Sequence, residues 1–286
     1  MDFEAFVNDI ESNKWNVFGT EVYENGLLTH SYGDTNGIHE IYSATKTILS
    51  IAVGKAYDEK LIDIERPFTC YIPDERLDRL SDEQRDTLST INIKRLLTMS
   101  VADLPFRPEG DSWLDFSLSQ AISDTENRTF HYNNINAYLV GVCLTEAMGS
   151  DLGSFIEERI FRPLNIETYE YIRCPDGYYY GASGTKLSVH DLSKIGLLLY
   201  NGGIYQGVRI LSEEYVKLAT SVQQMNREGG YGFYIWKYRD GFSINGKWKQ
   251  KCYVLPRRGI IVTYLSHIED DSHDLLDSME KNILGV

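Results

Sequence analysis

No apolar run of roughly 18 residues, the length a membrane span needs, occurs in this sequence. Its cysteines, Cys70, Cys143, Cys174 and Cys252, never fall in a C-x-x-C pair, so a zinc or thioredoxin-like site has no support. Nothing demands disulfides, and Cys143, inside an apolar helical run, reads as a buried free thiol. Basic residues are scarce: 28 Lys and Arg stand against 42 Asp and Glu, a net charge of −14. A nucleic-acid binder needs a basic footprint to displace counterions, and the best candidate here is only "KWKQK", Lys247 to Lys251. Nucleic acid and an anionic membrane surface are therefore not expected partners. The opening "MDFEAFVNDIESNKW" has no basic region followed by an apolar core, so no signal peptide is expected and a cytoplasmic location is the simplest reading. Internal repeats and low-complexity linkers are also missing.

What is present suits a folded chain with a sizeable core: 286 residues, 42% hydrophobic and 24% charged. The 20 tyrosines can line a wet pocket as well as fill a core, because the ring is apolar and the hydroxyl polar. Residues 2–12 read as an amphipathic helix. Two short strands follow, joined at Glu24-Asn25-Gly26, where Asn-Gly is a strong hairpin signal. "SATKTILSIAVGKAYDEK" reads as a helix, apolar at Ile48, Ile51, Ala52 and Ala56. Residues 66–90 read as polar and irregular, with "DERLDRLSDEQRD" as solvated surface. "INIKRLLTMS" reads as a short helix. "NNINAYLVGVCLTEAMG" is a stronger one closed by Gly149, and "DLGSFIEERIFRPLNI" stops near Pro163. Ser188 caps another helix that ends at Gly202-Gly203, and "SEEYVKLAT" is a further one. After residue 229, aromatic and β-branched residues broken by Gly and Pro predict about three antiparallel strands, with a helix over 270–284. Strands at both ends and helices between predict an α+β fold of one domain over 1–286. Its antiparallel sheet is built from both termini, with an α/β lobe from about 1–58 and 187–286 and a helical lobe from about 59–186.

The chemistry concentrates at Ser43-Ala44-Thr45-Lys46. Residues three apart share a helix face, so Lys46 stands beside the Ser43 hydroxyl if Ser43 opens the helix. A serine is a poor nucleophile until a base takes its proton, and a lysine can be that base only when its pKa is lowered. The competing reading is a capped helix with a surface lysine. Tyr132-Asn133-Asn134 precedes the strong helix: Tyr132 can relay a proton and Asn134 can bind a substrate amide, or Asn134 merely caps the helix and Tyr132 packs beside it. Later, "INGKWKQKCYVLP" reads as a strand that presents Lys247, with the backbone N–H of Gln250 completing an oxyanion hole with that of Ser43. Alternatively, its lysines only guard a sheet edge. A dyad of Ser43 with His131 or His190 stays open, but Lys46 needs no long-range contact.

The order Ser43-x-x-Lys46, Tyr132-x-Asn134 and a late Lys-bearing strand resembles the serine β-lactamase and penicillin-binding-protein superfamily. The resemblance is greatest to its class C-type branch of β-lactamases, D-Ala-D-Ala carboxypeptidases and esterases. It spans nearly the whole chain, through "IYSATKTILSIAVGKAYDEKLIDIERPFTCYIP", "INIKRLLTMS", "FHYNNINAYLVG" and "GASGTKLSVHDLSKIGLLLYNGGIYQGVRILSEEYV". It implies a sheet flanked by helices and a site in the cleft beside a helical lobe. By this likeness Ser43 is acylated, Lys46 is its base, and Tyr132 shares that role and protonates the leaving group. Asn134 would hold the acyl side chain, while Lys247, Trp248 and Gln250 form the third motif against the substrate carboxylate and the oxyanion. Two departures stand out: Lys249 replaces a glycine of that motif, and Trp248 replaces a small hydroxyl residue. The expectation is a serine hydrolase of a small ester, amide or short peptide, needing no metal or cofactor, with β-lactam turnover weak. The alternative is a catalytically weak binding or sensor module.

Overall fold

The computed structural model describes residues 1–122 and 126–286. Helix α1 (Phe3–Ser12) is capped by the Asp2 carboxylate, which accepts from the Ala5 N–H at 3.0 Å. Strands β1 (Val17–Glu24) and β2 (Leu27–Gly33) form the expected hairpin. Asn25 (φ 51°) and Gly26 (φ 82°) both take the left-handed conformation that a tight two-residue hairpin turn requires. Helix α2 (Thr45–Asp58) follows a single tight turn over Tyr42–Ala44. Helix α3 (Asn134–Met148) closes on left-handed Gly149. Helix α4 (Val189–Tyr200) starts at Ser188, whose hydroxyl accepts from the Asp191 N–H at 3.0 Å. Four strands then follow: β3 (Trp236–Tyr238), β4 (Gly241–Gly246), β5 (Gln250–Leu255) and β6 (Ile260–Ser266). Helix α5 (Asp274–Met279) leads into a wider helical turn over Glu280–Leu284.

The strands make one antiparallel sheet in the order β2-β1-β6-β5-β4-β3, so β1 from the N-terminal end pairs with β6 from the C-terminal end. The α+β reading holds. The sheet carries two cores because side chains alternate across its faces. On one face, α1, α5 and the helical turn after α5 bury Phe6, Ile10, Met279 and Ile283 against Val22, Tyr253, Leu255 and Val262. On the other, Phe242, Ile244, Cys252, Val254 and Ile261 join the larger core that contains α2, α3 and α4.

Two expectations need correction. The helix after Ser43 stands as read, and its burial extends past Ile48, Ile51, Ala52 and Ala56: Thr45 through Gly54 are all buried. Its polar residues survive there because they are bonded, Thr47 Oγ1 donating to the Tyr234 carbonyl at 3.1 Å and Ser50 Oγ lying 3.3 Å from Tyr215 Oη. The 66–90 stretch is not irregular. It contains short helices over Asp74–Leu77 and Asp82–Ser89, the second closed by a reciprocal Ser81–Gln84 capping box. Lys247 is not on a strand; Lys247–Lys249 is the turn between β4 and β5, and an extra edge strand, β3, lies beyond. Among the described residues, no single helix is long and apolar enough to cross a membrane.

Gly196 fixes how closely α4 can sit on the sheet. A Cβ there would lie 2.6 Å from Cys252 Sγ, itself fully buried. Gly196→Val should therefore destabilise the protein by about 1–3 kcal/mol, the usual cost of overpacking. Urea denaturation should show a lowered midpoint with an unchanged slope.

Candidate active site

The site is assembled where α2 begins. Tyr42 has φ 48°, an uncommon conformation for a non-glycine residue, and this sharp turn carries the chain directly into Ser43. The segment is pinned on one side by the Ile41 N–H, which donates to the Thr185 carbonyl at 2.9 Å. The Ser43 N–H belongs to the first turn of the helix, where no helical carbonyl can reach it.

One turn on, Lys46 is 1% exposed. Its Nζ lies 3.3 Å from Ser43 Oγ, 2.7 Å from Asn134 Oδ1 and 2.8 Å from the Ala182 carbonyl oxygen. Burial pulls its amine down from 10.5 to about 7, because a charged ammonium loses its hydration there. The partners also set its direction. A neutral amine has two N–H groups and one lone pair. Asn134 Oδ1 and the Ala182 carbonyl can only accept, so they take the two N–H groups, and the lone pair is left facing the Ser43 hydroxyl.

Asn134 is free for this task because its neighbour does the capping. Asn133 Oδ1 accepts from the Asn136 N–H at 2.8 Å, and Asn134 is the first residue inside α3. The Asn134 backbone N–H is fixed by the Phe106 carbonyl at 2.6 Å, and its side chain also hydrogen-bonds the Tyr180 hydroxyl. Tyr132 lies on the other flank, its ring centre 4.9 Å from Lys46 Nζ. Packed beside Phe130, Tyr231 and Trp236, its phenol is pushed up to about 12 by burial, opposed by a hydrogen bond with Ser43. It is thus a protonated donor at neutral pH, and its ring face can also stabilise a cation formed on Lys46.

The third wall is the β4–β5 hairpin. Gly246 stacks so closely on the nucleophile turn that a Cβ would meet the Ile41 carbonyl oxygen at 2.2 Å. Trp248 (φ 56°) sets its ring 5.0 Å from Tyr42 and 4.1 Å from His267, with Lys247 Nζ 4.4 Å above it. Lys249 (φ 64°) turns away and pairs with Asp270 at 2.9 Å. Gln250 opens β5: it is buried, its side chain exchanges hydrogen bonds with the Ser266 backbone, and its own backbone stands opposite Gly246 in the ladder.

Thus Ser43, Lys46, Tyr132 and Asn134 converge, Trp248 and Lys247 form a wall nearby, and the Gln250 side chain ties that wall to Ser266. Sequence reasoning missed Gly246, Tyr180 and the Ala182 carbonyl. Gly246, between Asn245 and Lys247 in a strand-like run, carried a legible signal of close backbone approach. A backbone acceptor such as Ala182 carries none. His131 and His190 are engaged elsewhere, with the Leu104 carbonyl and with Glu21. Among the described residues, no group of three or more His, Cys, Asp or Glu is placed to hold a metal ion.

A Ser-x-x-Lys pair at the start of a buried helix, beside an antiparallel sheet, defines a class of penicillin-recognising and related serine enzymes. The chain matches the family model described as Beta-lactamase over residues 22–281, and it belongs to that family. The family is in general one of serine hydrolases. No curated protein matches it by sequence. Among solved structures it is similar to a putative 6-aminohexanoate-dimer hydrolase from Bacillus anthracis (TM-score 0.80, 16% identity, covering 98% of this chain and 80% of that one). It is also similar to a putative beta-lactamase from Bacteroides dorei DSM 17855 (TM-score 0.80, 17% identity, 99% and 98%). A penicillin binding protein from Bacillus halodurans superposes with TM-score 0.73 at 14% identity, over 96% and 99%. At these identities the likeness is one of fold.

Two outcomes follow from Lys46. The rate at which a fluorophosphonate labels Ser43 should rise with pH through about 7, as Lys46 loses its proton, and then level off. In Asn134→Ala the ammonium loses an acceptor that favours the charged form, so the limb should move to lower pH. Labelling should also slow by roughly tenfold or more as the amine loses its alignment. An unmoved limb in the variant would place the titration on another group.

Proposed function

We propose that this protein is a serine hydrolase that cleaves a small ester or amide, including a short peptide, through an acyl-enzyme at Ser43. The observation that carries the reading is the buried Lys46 amine, bonded to two obligate acceptors and directed at Ser43 Oγ. Lys46 takes the Ser43 proton as Oγ attacks the carbonyl carbon. The new oxyanion is received by the Ser43 N–H and by the backbone N–H of Gln250 where β5 begins. Each such donor is worth about 3 kcal/mol to the transition state. Tyr132, held protonated and hydrogen-bonded to Ser43, hands a proton to the leaving group, and the proton on Lys46 restores the phenol. Water then enters by the same route in reverse and releases the acid. Asn134 is a positioning residue here, since its oxygen is committed to Lys46 and its amide to Tyr180.

Trp248 favours esterase or amidase action over strong β-lactamase action. Its ring occupies the wall where the family resemblance implies a small hydroxyl residue facing the substrate carboxylate, while Lys249, tied to Asp270, leaves the wall open beside it. Lys247, exposed above that ring, remains available to an anionic group on the substrate.

Intact-protein mass spectrometry after incubation with a fluorophosphonate, and separately with a penicillin, tests the assignment. Wild type should gain one fluorophosphonate adduct and Ser43→Ala none, with little or slow penicillin labelling. No adduct in wild type would sink the acyl-enzyme reading. A penicillin adduct that persists without product release would move the protein to the binding or sensor class. Gly246→Ala should cut labelling by roughly 100-fold while Ser43 and Lys46 stay intact, because the added methyl forces the hairpin off the Ile41 carbonyl.

A further inference from the structure

Beside Asn134 stands a positive charge that the chemistry at Ser43 does not use. Residues 104–107 run along the Tyr132-Asn133-Asn134 turn and are tied to it twice. The Leu104 carbonyl oxygen lies 2.9 Å from His131 Nε2, and the Phe106 carbonyl accepts from the Asn134 N–H at 2.6 Å. Arg107 is the next residue, so its backbone is held one peptide unit from the contact that fixes Asn134. The buried Pro108 that follows restricts it further.

The Arg107 guanidinium makes no hydrogen bond or ion pair among the described residues. Glu109 and Asp111 follow closely in the chain and leave it unpaired. Its charge is felt at Tyr180: burial pushes that phenol up to about 12, while the Asn134 amide and Arg107 pull the other way. Tyr180 itself is firmly placed. Trp113 meets its ring edge to face at 5.0 Å, and Asp176 braces Trp113 by accepting from its N–H at 2.7 Å and from the Tyr138 hydroxyl at 3.0 Å. The wall is therefore rigid up to the arginine, whose own partner is missing. A protein of net charge −14 repels anions in solution, so a free guanidinium at this wall gives an anionic substrate its local attraction. The planar fork of the guanidinium suits a carboxylate.

The position also says which half of the substrate is read. The leaving group must meet Tyr132, whose ring packs with Phe130, Tyr231 and Trp236. The Tyr180–Trp113 pair is a separate ring cluster, joined to Tyr132 through Lys46 and Asn134. A carbonyl at Ser43 with its leaving group at Tyr132 thus sends its acyl chain toward Tyr180 and Arg107.

We propose that the substrate is an ester or amide of an acid whose acyl chain ends in a carboxylate, and that Arg107 selects it. The inference rests on the acyl-enzyme reading at Ser43. Phe106, 59% exposed, and the Trp113–Tyr180 pair offer apolar surface to the stem of the chain, and Arg107 takes its charged end. Arg107 touches no reacting atom, so it governs which substrate is taken rather than the course of the proton.

The 4-nitrophenyl monoesters of adipic and suberic acid, each set against the 4-nitrophenyl ester of hexanoic or octanoic acid of equal chain length, provide the test on the full chain. At low salt, kcat/KM for the better dicarboxylic ester should exceed that of its neutral match by about tenfold or more, and the excess should shrink as ionic strength rises. Arg107→Gln should lower this ratio by about tenfold, Arg107→Lys should recover part of it, and Arg107→Glu should invert it. A ratio taken within one sample does not depend on how much of the protein is folded, so a merely structural loss would lower both esters alike. Equal kcat/KM within each pair in wild type, or a ratio that survives Arg107→Gln, would overturn the proposal. So would a ratio lost in Lys247→Gln but kept in Arg107→Gln, and so would hydrolysis of neither pair by protein that fluorophosphonate labels at Ser43. Those four outcomes leave the acyl-enzyme reading standing, whereas absence of both hydrolysis and labelling would take down both. The wild-type comparison is decisive alone, so an Arg107 variant that failed to fold would not spare the idea.

Discussion

The burial of one ammonium group organises this molecule. Lys46 Nζ cannot keep water around it at 1% exposure, so protein must supply its partners, and these come from three parts of the chain. Ser43 is local, Asn134 is 88 residues away, and the Ala182 carbonyl is 136 residues away. Bringing them together fixes α2 against α3 and against the loop that carries Tyr180 and Ala182. The arrangement has a thermodynamic sign. The amine titrates near 7 in the folded chain and near 10.5 when free. Between those values the unfolded chain binds a proton that the folded chain does not, so stability rises with pH across that window, and below 7 the full cost of burying the charge is borne. A residue tuned to be a base at neutral pH is thus also a standing load on the fold, which the surrounding apolar packing of α2 offsets.

Strain gathers where the nucleophile is presented. Tyr42, Trp248 and Lys249 all have φ between 48° and 64°, and two of them are in ring contact across the cleft wall. None is a glycine or an asparagine, the residues that take this conformation at least cost. The hairpin holds its shape because its base is braced: Ser266 Oγ donates to the Trp248 carbonyl at 2.8 Å, and Lys249 reaches the Ser272 carbonyl at 2.6 Å. At Gly246 a side chain is excluded by backbone, since the Ile41 carbonyl occupies its space. Geometry at the site is therefore set by backbone contact, which tolerates less adjustment than contact between side chains.

The sequence made the frame readable wherever the signal was local. Asn25-Gly26, the Ser-x-x-Lys spacing, Gly149 and the Ser188 cap each act within a few residues, and each appears as read. Reading failed where a three-dimensional neighbour decided. On paper Lys46 could be a surface lysine behind a helix cap, yet it is buried, with Thr47 and Ser50 bonded in the same core. Asn134 and Asn133 are equivalent as caps on paper, and only the position of Lys46 shows which of them is free. "KWKQK" alternates like a strand but bends at Trp248 and Lys249, because Asp270 and Ser272 draw the Lys249 ammonium off the strand line. The Ser81–Gln84 capping box is the exception that was legible and went unread.

The period of two along β4 decides which of its residues meets the nucleophile turn. Ser243 and Asn245 line a cavity on the outer face of the sheet, Phe242 and Ile244 face the main core, and the next residue, Gly246, is the one pressed against the nucleophile turn. One strand thus carries lining of the outer cavity and the wall beside Ser43 at adjacent positions. Trp248 extends the link, since it lines the outer cavity and also packs on Tyr42 beside Ser43.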